Sequence, residues 1–154
     1  MERCRSILVR RLLRVNRDQI IQHEAPLLFR DRYFAEIERD VDVFLDPDTG
    51  IGARSPIEKY VKPDELAALL RSASDRIVAV YQHVRARKTC DRVDSCLAEI
   101  REKNDGVEWC SYESPTVAML FLSENDARTR EIAQAFQKLL GRHAERRIRL
   151  GPKR

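Results

Sequence analysis

The sequence lacks any apolar segment that could cross a bilayer: its longest uninterrupted apolar run, 117–122, is far shorter than the roughly 20 residues that a spanning helix needs. Charges are spread among the apolar residues of the N-terminus, so the separate apolar core of a secretory signal peptide is also missing. Cysteine is scarce, and Cys4, Cys90, Cys96 and Cys110 are too scattered for a disulfide scaffold. No Asn-x-Ser/Thr glycosylation acceptor is present. These absences predict a soluble cytoplasmic protein with reduced thiols.

What the chain does contain is typical of one globular domain. Its 154 residues are 43% hydrophobic and 35% charged, and a chain of this length buries about 68–70% of its unfolded surface. The charge is unevenly distributed: residues 1–22 hold six basic and two acidic groups, 23–124 hold 14 and 20, and 125–154 hold nine and three. The sequence therefore predicts a single domain over 1–154 with basic ends and an acidic middle.

Apolar residues spaced three and four apart predict a mainly helical N-terminal two-thirds, over about 6–104. The expected helices are a basic amphipathic one over 6–22, one from Pro26 to Leu45, one from Pro63, one from Ser74 to Val84, and one from Thr89 or Asp91 to Asn104. The fourth has an alternative, because its β-branched residues also suit a strand. The turn-forming residues over 46–56 predict an irregular loop between the second and third helices.

After Gly106 the pattern changes to one typical of strands. Alternation over 107–112 and an apolar run over 116–122 predict a hairpin, followed by a helix that Gly141 closes and a short strand over 147–150. The fold class predicted is α+β: a helical part followed by a small ββαβ unit over about 107–150. The two parts are expected to share one core through Trp109, Phe121, Phe136 and Leu139.

Three cysteines and a nearby histidine are of the residue types that bind zinc. Cys90, Cys96 and Cys110, with His83, are potential ligands. Cys90 and Cys96 are six residues apart, which places them about 120° apart around a helix, and no Cys-x2-Cys pair is present. The pattern favours thiols packed in the core over a metal site.

Two further segments resemble ligand-binding loops only in part. Asp46-x-Asp48-x-Gly50 begins like a calcium loop, but Ile51 and Ile57 stand where that loop needs Gly and Glu. The glycines at 50 and 52 lack the remaining residues of a phosphate-binding loop. No metal and no cofactor is predicted.

Arg76 and His83 are seven positions apart, which would bring their side chains nearly into line on a helix. This spacing resembles the Arg-x4–6-His signature of the HEPN ribonuclease superfamily. The resemblance implies an all-helical fold in which Arg76 and His83 act on the scissile phosphate of RNA. The chain departs from that family in the strand-rich pattern after Gly106. The alternative interpretation places both residues at the surface, beside the apolar stripe of their helix.

Arginine dominates the basic ends of the chain, and its guanidinium makes bidentate contacts with phosphate that lysine does not make. The candidate nucleic-acid or phosphate-binding residues are Arg3, Arg10, Arg11, Arg14, Arg17, Arg142, Arg146, Arg147 and Arg149. If the two ends converge, they form one positive face. If they pack on the acidic run 36–42 instead, their charge is neutralised within the molecule.

These features predict a non-enzymatic accessory or regulatory protein that works by binding. Its partner is another protein or a complex, docked on the apolar face of the first helix, or a nucleic acid held by the basic ends. No membrane partner is expected. A HEPN-like ribonuclease that uses Arg76 and His83 is the alternative.

Overall fold

The computed structural model describes residues 34, 37, 39–52, 59–85, 88–143 and 146–151. The strands are β1 (Val43–Leu45), β2 (Gly50–Ile51), β3 (Tyr60–Val61), β4 (Val78–His83), β5 (Glu108–Glu113), β6 (Val117–Ser123) and β7 (Ile148–Leu150). The helices within the described residues are α1 (Pro63–Arg71), α2 (Thr89–Arg101) and α3 (Asp126–Leu140), and a 3-10 turn, Gly141–His143, follows α3.

Five strands form one mixed sheet in the order β1-β4-β6-β5-β7. β1 runs parallel to β4, whereas β4 and β6, β6 and β5, and β5 and β7 pair antiparallel. β2 and β3 form a separate, parallel pair. As a result β1, β4 and β5 all end at one edge of the sheet, which we call the carboxyl edge, and begin at the opposite amino edge.

The predicted division into a helical part followed by a ββαβ unit is wrong. The segment predicted as a helix from Ser74 to Val84 contains β4, which pairs with β1 and with β6. The physical reason is the continuous apolar run at its start, Ile77–Val80, which is buried on both faces of the sheet, as a strand between two helical layers requires. Helical spacing within such a run does not distinguish a helix from a strand, because every position is apolar.

The second predicted helix is also wrong at its end, because residues 43–45 form the edge strand β1. Most of that predicted helix, and all of the basic helix predicted over 6–22, lie outside the described residues. Val43 and Leu45 point to the same face of the sheet as Val78 and Val80, their partners on β4.

Two helix predictions are confirmed, because each depends on a single apolar face. α1 begins at Pro63, and the carboxylate of Glu65 accepts a hydrogen bond of 2.7 Å from the backbone N–H of Lys62, which caps its first turn. α2 begins at Thr89 and buries Val93 and Ile100. Both helices pack on the same face of the sheet.

Residues 107–150 form strands, a helix and a strand in the predicted order, but they do not form a separate unit. β6 pairs with β4 on one side and with β5 on the other, so it joins the two halves of the sheet. α3 is capped by Asn125, whose side chain accepts a 2.9 Å hydrogen bond from Ala127 N. Ser123 ends β6, and its hydroxyl accepts a hydrogen bond from Asn125 N.

The expectation of one shared core is wrong as well, since the sheet separates two apolar clusters. Trp109 belongs to the cluster beneath α1 and α2, whereas Phe121 and Phe136 belong to the cluster beneath α3. Trp109 is paired with Leu122, and successive strand residues point to opposite faces, so Trp109 and Phe121 cannot share a side. Leu139 is 52% exposed and joins neither cluster.

The described part of the chain therefore has three layers, with α1 and α2 on one face of the sheet and α3 on the other. None of its helices has both the length and the apolar character that crossing a membrane requires.

Candidate functional site

A cleft of about 490 Å³ opens at the carboxyl edge of the sheet, where the parallel strands β1 and β4 end. Its lining residues are Asp46, Asp48, Thr49, Lys59, Tyr81, His83 and Arg85. The crevice beyond the carboxyl ends of parallel strands is a common ligand site, because the chain leaves the sheet there and exposes side chains from several loops. The location and the mixed acidic, basic and aromatic lining make this cleft the candidate site.

Gln82 fixes one wall of the cleft. It is fully buried on β4, where its Oε1 accepts a 2.7 Å hydrogen bond from the backbone N–H of Ile51. Its Nε2 donates to the carbonyl oxygens of Thr49 and His83, at 3.3 and 2.6 Å. Because one buried amide satisfies three backbone groups, the loop that carries Asp48 and Thr49 is held against the end of β4.

Gly50 permits this close approach. Its φ is 110°, in the region that favours glycine, and a Cβ at this position would lie 2.3 Å from Nε2 of Gln82. Arg92 of α2 donates a hydrogen bond to the carbonyl oxygen of Ile51, which ties the same loop to the helix above it. The wall of the cleft is thus positioned by the sheet and by α2 together.

Tyr81 and His83 form the aromatic part of the cleft. They alternate with Gln82 on β4, so they point to the face opposite to it, the face on which α3 lies. Their rings are T-shaped, with centroids 4.9 Å apart and planes at 70°, and both side chains are half-buried. Since α3 packs mainly on β5, β6 and β7, the ring pair lies beside the helix.

Exposed cations surround the cleft and continue along the carboxyl edge. These edge cations are Lys59, Arg85, Lys88, Arg142, Arg146 and Arg147. β4 and β7 are three strand spacings apart, about 14 Å, so the cations extend across most of the sheet. Among the described residues none of them forms an ion pair, and Arg147 only donates a 3.1 Å hydrogen bond to the hydroxyl of Tyr112. Among the described residues, carboxylates at this edge include Asp46, Asp48 and Asp91, which are exposed, and Glu113 at the end of β5, which is paired with Arg149.

The nine predicted phosphate-binding residues have three different outcomes. Arg3, Arg10, Arg11, Arg14 and Arg17 lie outside the described residues, so their role and the convergence of the two ends stay predictions. Arg142, Arg146 and Arg147 are exposed at the carboxyl edge, because α3 runs back to that edge and β7 begins there. Arg149 points from β7 to the face of the sheet on which α2 lies, where it pairs with Asp94.

Arg149 is engaged by carboxylates within the protein. Its guanidinium pairs with Glu113 at 3.0 Å and with Asp94 of α2, and lies 5.5 Å from the ring centroid of Trp109. Burial alone would lower the pKa of Arg149, but the hydrogen bond with Asp94 and the charge of Glu113 raise it overall. These contacts give Arg149 a clear role in joining β7 to β5 and α2.

The structure does not bring Arg76 and His83 together. Arg76 is only 3% exposed at the amino edge, where it donates hydrogen bonds to the carbonyl oxygens of Val41 and Leu69, at 3.0 and 3.1 Å, and to Ser72 Oγ. Burial lowers its pKa despite a nearby carboxylate, that of Asp42. Because the intervening residues form a strand and not a helix, His83 is about 20 Å away at the other edge.

The candidate zinc ligands are also separated. Cys96 lies on the buried face of α2, and Cys110 lies on β5 and is buried beneath α3, so the sheet lies between them; Cys90 is half-buried at the start of α2. In the described part of the chain no three His, Cys, Asp or Glu side chains are grouped so that they could hold a metal ion. Burial raises the pKa of Cys96 to about 11 and that of Cys110 to about 12.

These buried thiols predict a loss of stability in alkali. The folded state holds each proton more tightly than the unfolded state, whose thiol pKa is near 9.0, so the contribution is complete below pH 9 and falls as pH rises towards 12. At about 1.4 kcal/mol per pH unit above 9, Cys110 should contribute a loss of about 2 kcal/mol by pH 10.5. Between pH 8 and 10.5, urea unfolding should show a loss about 2 kcal/mol smaller in Cys110→Ala than in the wild type, because only Cys96 still contributes in the variant. Equal losses in the two proteins would contradict the prediction.

Sequence reasoning missed most of the cleft. Lys59, Tyr81, Gln82 and Arg85 were not singled out, and Asp46 and Asp48 were interpreted as part of a turn. The one available signal was a polar ending, Tyr-Gln-His, directly after the apolar run 77–80, which is typical of a buried strand that emerges at a sheet edge.

Comparisons with protein-family models, with curated proteins and with solved structures found no match for this chain.

Proposed function

We propose that this protein is a non-enzymatic nucleic-acid-binding protein, of accessory or regulatory type, and that the carboxyl edge of its sheet is the binding surface. The observation that carries the proposal is the set of edge cations, which are exposed and form no ion pairs within the described residues. Such cations bind the phosphate backbone with a gain in free energy from the release of condensed counterions.

The charges elsewhere in the described structure support this choice of surface. At the amino edge, Arg128 pairs with Asp42 at 3.1 Å and Arg130 pairs with Asp126 at 2.6 Å. Arg128 and Arg130 are therefore compensated by nearby carboxylates, whereas the edge cations form no such ion pairs within the described residues.

The geometry favours binding over cleavage. The ribonuclease alternative requires Arg76 and His83 to lie in line on one helix, but Arg76 is buried at one edge of the sheet and His83 lines the cleft at the other. We further propose a cytoplasmic location, supported by the free thiols of Cys90, Cys96 and Cys110.

Charge reversal at the carboxyl edge should weaken binding without unfolding the protein. Arg85→Glu with Lys88→Glu changes two exposed side chains of the segment between β4 and α2, and should lower affinity for a fluorescein-labelled oligonucleotide about 10-fold or more at low salt. The slope of log affinity against log salt should also fall by about 1.5. Fluorescence anisotropy over a salt series measures both quantities.

A matched control carries the same change of charge at the amino edge. Arg71→Glu with Lys103→Glu alters the exposed ends of α1 and α2, far from the cleft. This control should bind within about twofold of the wild type at a salt concentration near 0.15 M, where distant surface charges are screened. Equal losses in the two double variants, or no binding of any nucleic acid by the wild type, would refute the proposal.

A further inference from the structure

The aromatic pair in the cleft bears on which form of nucleic acid would bind, an inference that rests on the proposed function. Tyr81 and His83 are half-buried and lie at the end of β4, and Phe44 of the adjacent β1 is 42% exposed on the same face. Exposed aromatic rings on neighbouring strands of a sheet are the surfaces on which unpaired bases stack.

The dimensions of the cleft suit one nucleotide. Its volume of about 490 Å³ lies within the range of about 300–1,000 Å³ that is typical of small-molecule sites. A base in a duplex has both of its faces covered by its neighbours, so it cannot stack on Tyr81 or His83 without leaving the helix. An unpaired base can stack on such a ring without first leaving a duplex.

The charged side chains that line the cleft suit the different groups of a nucleotide. Lys59 and Arg85 are cationic and would hold a phosphate, whereas Asp46 and Asp48 would repel it. Carboxylates instead accept hydrogen bonds from exocyclic amino groups and from sugar hydroxyls.

From this arrangement we propose that the cleft receives an unpaired nucleotide, with its base stacked on Tyr81, so that the protein binds single-stranded nucleic acid in preference to duplex. Both RNA and DNA supply the chemistry that is recognised, namely an exposed base face joined to a phosphodiester. The separate RNA and DNA strands in the experiment show which of them the cleft favours.

The test measures the affinity of the full chain for 12-nucleotide RNA and DNA strands and for duplexes of the same sequence. The wild type should bind at least one single strand about 10-fold or more tightly than its duplex. Tyr81→Ala should lower single-strand affinity by a similar factor and leave duplex affinity and its salt dependence unchanged. The matched control, Tyr81→Phe, keeps the ring and should bind like the wild type.

A second measurement does not depend on how the variant folds. A single strand that contains 2-aminopurine should lose fluorescence when the wild-type protein binds it, because stacking on an aromatic ring quenches that base. Duplex binding that equals or exceeds single-strand binding, an unquenched probe, or a folded Tyr81→Ala variant with wild-type affinity would each overturn this inference. Those results would leave the proposed function intact, since it fails only if no nucleic acid binds at the carboxyl edge.

Discussion

Replacing Gly50 by alanine is expected to lower the free energy of unfolding by about 3 kcal/mol or more. A non-glycine residue at positive φ costs about 1–2 kcal/mol, and forcing extra volume into a packed site costs about 1–3 kcal/mol. Both costs apply here, because φ is 110° and the new Cβ would lie 2.3 Å from Nε2 of Gln82. The amide of Gln82 would have to move, which would break its hydrogen bond with Ile51. Urea unfolding followed by circular dichroism measures the loss.

Gly141 provides the control that separates backbone strain from steric conflict. Its φ is also positive, at 56°, but a Cβ there would meet nothing within 4 Å. Gly141→Ala should therefore cost only about 1–2 kcal/mol, the price of the dihedral alone. If Gly50→Ala is no more harmful than Gly141→Ala, then the packing of Gln82 against the loop does not hold the wall of the cleft.

Replacing Arg76 by methionine is expected to lower the free energy of unfolding by about 3 kcal/mol or more, because three hydrogen bonds are lost and each hydrogen bond of a charged group contributes about 1.5–3 kcal/mol. The guanidinium donates to the carbonyl oxygens of Val41 and Leu69 and to Ser72 Oγ, so its loss leaves these buried or partly buried hydrogen bonds without their donor. Asp42, whose charge interacts with Arg76, would also lose a nearby cation.

The matched control is Arg71→Met, which removes the same group from an exposed position. Arg71 donates one hydrogen bond of 3.0 Å to the carbonyl oxygen of Lys103, at the surface. That change should cost less than about 1 kcal/mol. Urea unfolding of both variants at the same pH measures the two losses. Similar losses would show that the hydrogen bonds of Arg76 contribute little to the free energy of unfolding.

Helices with one apolar face could be located from the sequence, whereas β4, which is buried on both faces, could not be distinguished from a helix. α1, α2 and α3 each bury one stripe and expose the other, so helical periodicity locates them. β4 is buried on both faces, and its run of apolar residues fits a helix as well as a strand. Because β4 was predicted as a helix, the predicted hairpin of β5 and β6 lacked the strand that pairs with β6, and the five-stranded sheet could not be predicted.

The candidate site could be predicted only in fragments, because it is assembled by tertiary contacts. Tyr81 and Asp46 are brought together by the parallel pairing of β1 with β4, which nothing in the local sequence specifies. Gln82 reads as an ordinary polar residue, yet it is fully buried and binds a loop more than 30 residues away. Arg149 reads as one more basic residue of the C-terminal segment, but the fold places it between Asp94 and Glu113.

The shortness of the two outermost strands bears on how the protein resists aggregation. β1 and β7 have three residues each, so neither outermost strand of the five-stranded sheet offers a long row of unpaired backbone groups to another chain. β7 also carries Arg149, with Arg147 just before it, and charged side chains on an edge disfavour the addition of further strands. Both outermost strands are thereby protected against pairing with another chain, while the carboxyl edge, where the cleft lies, stays accessible.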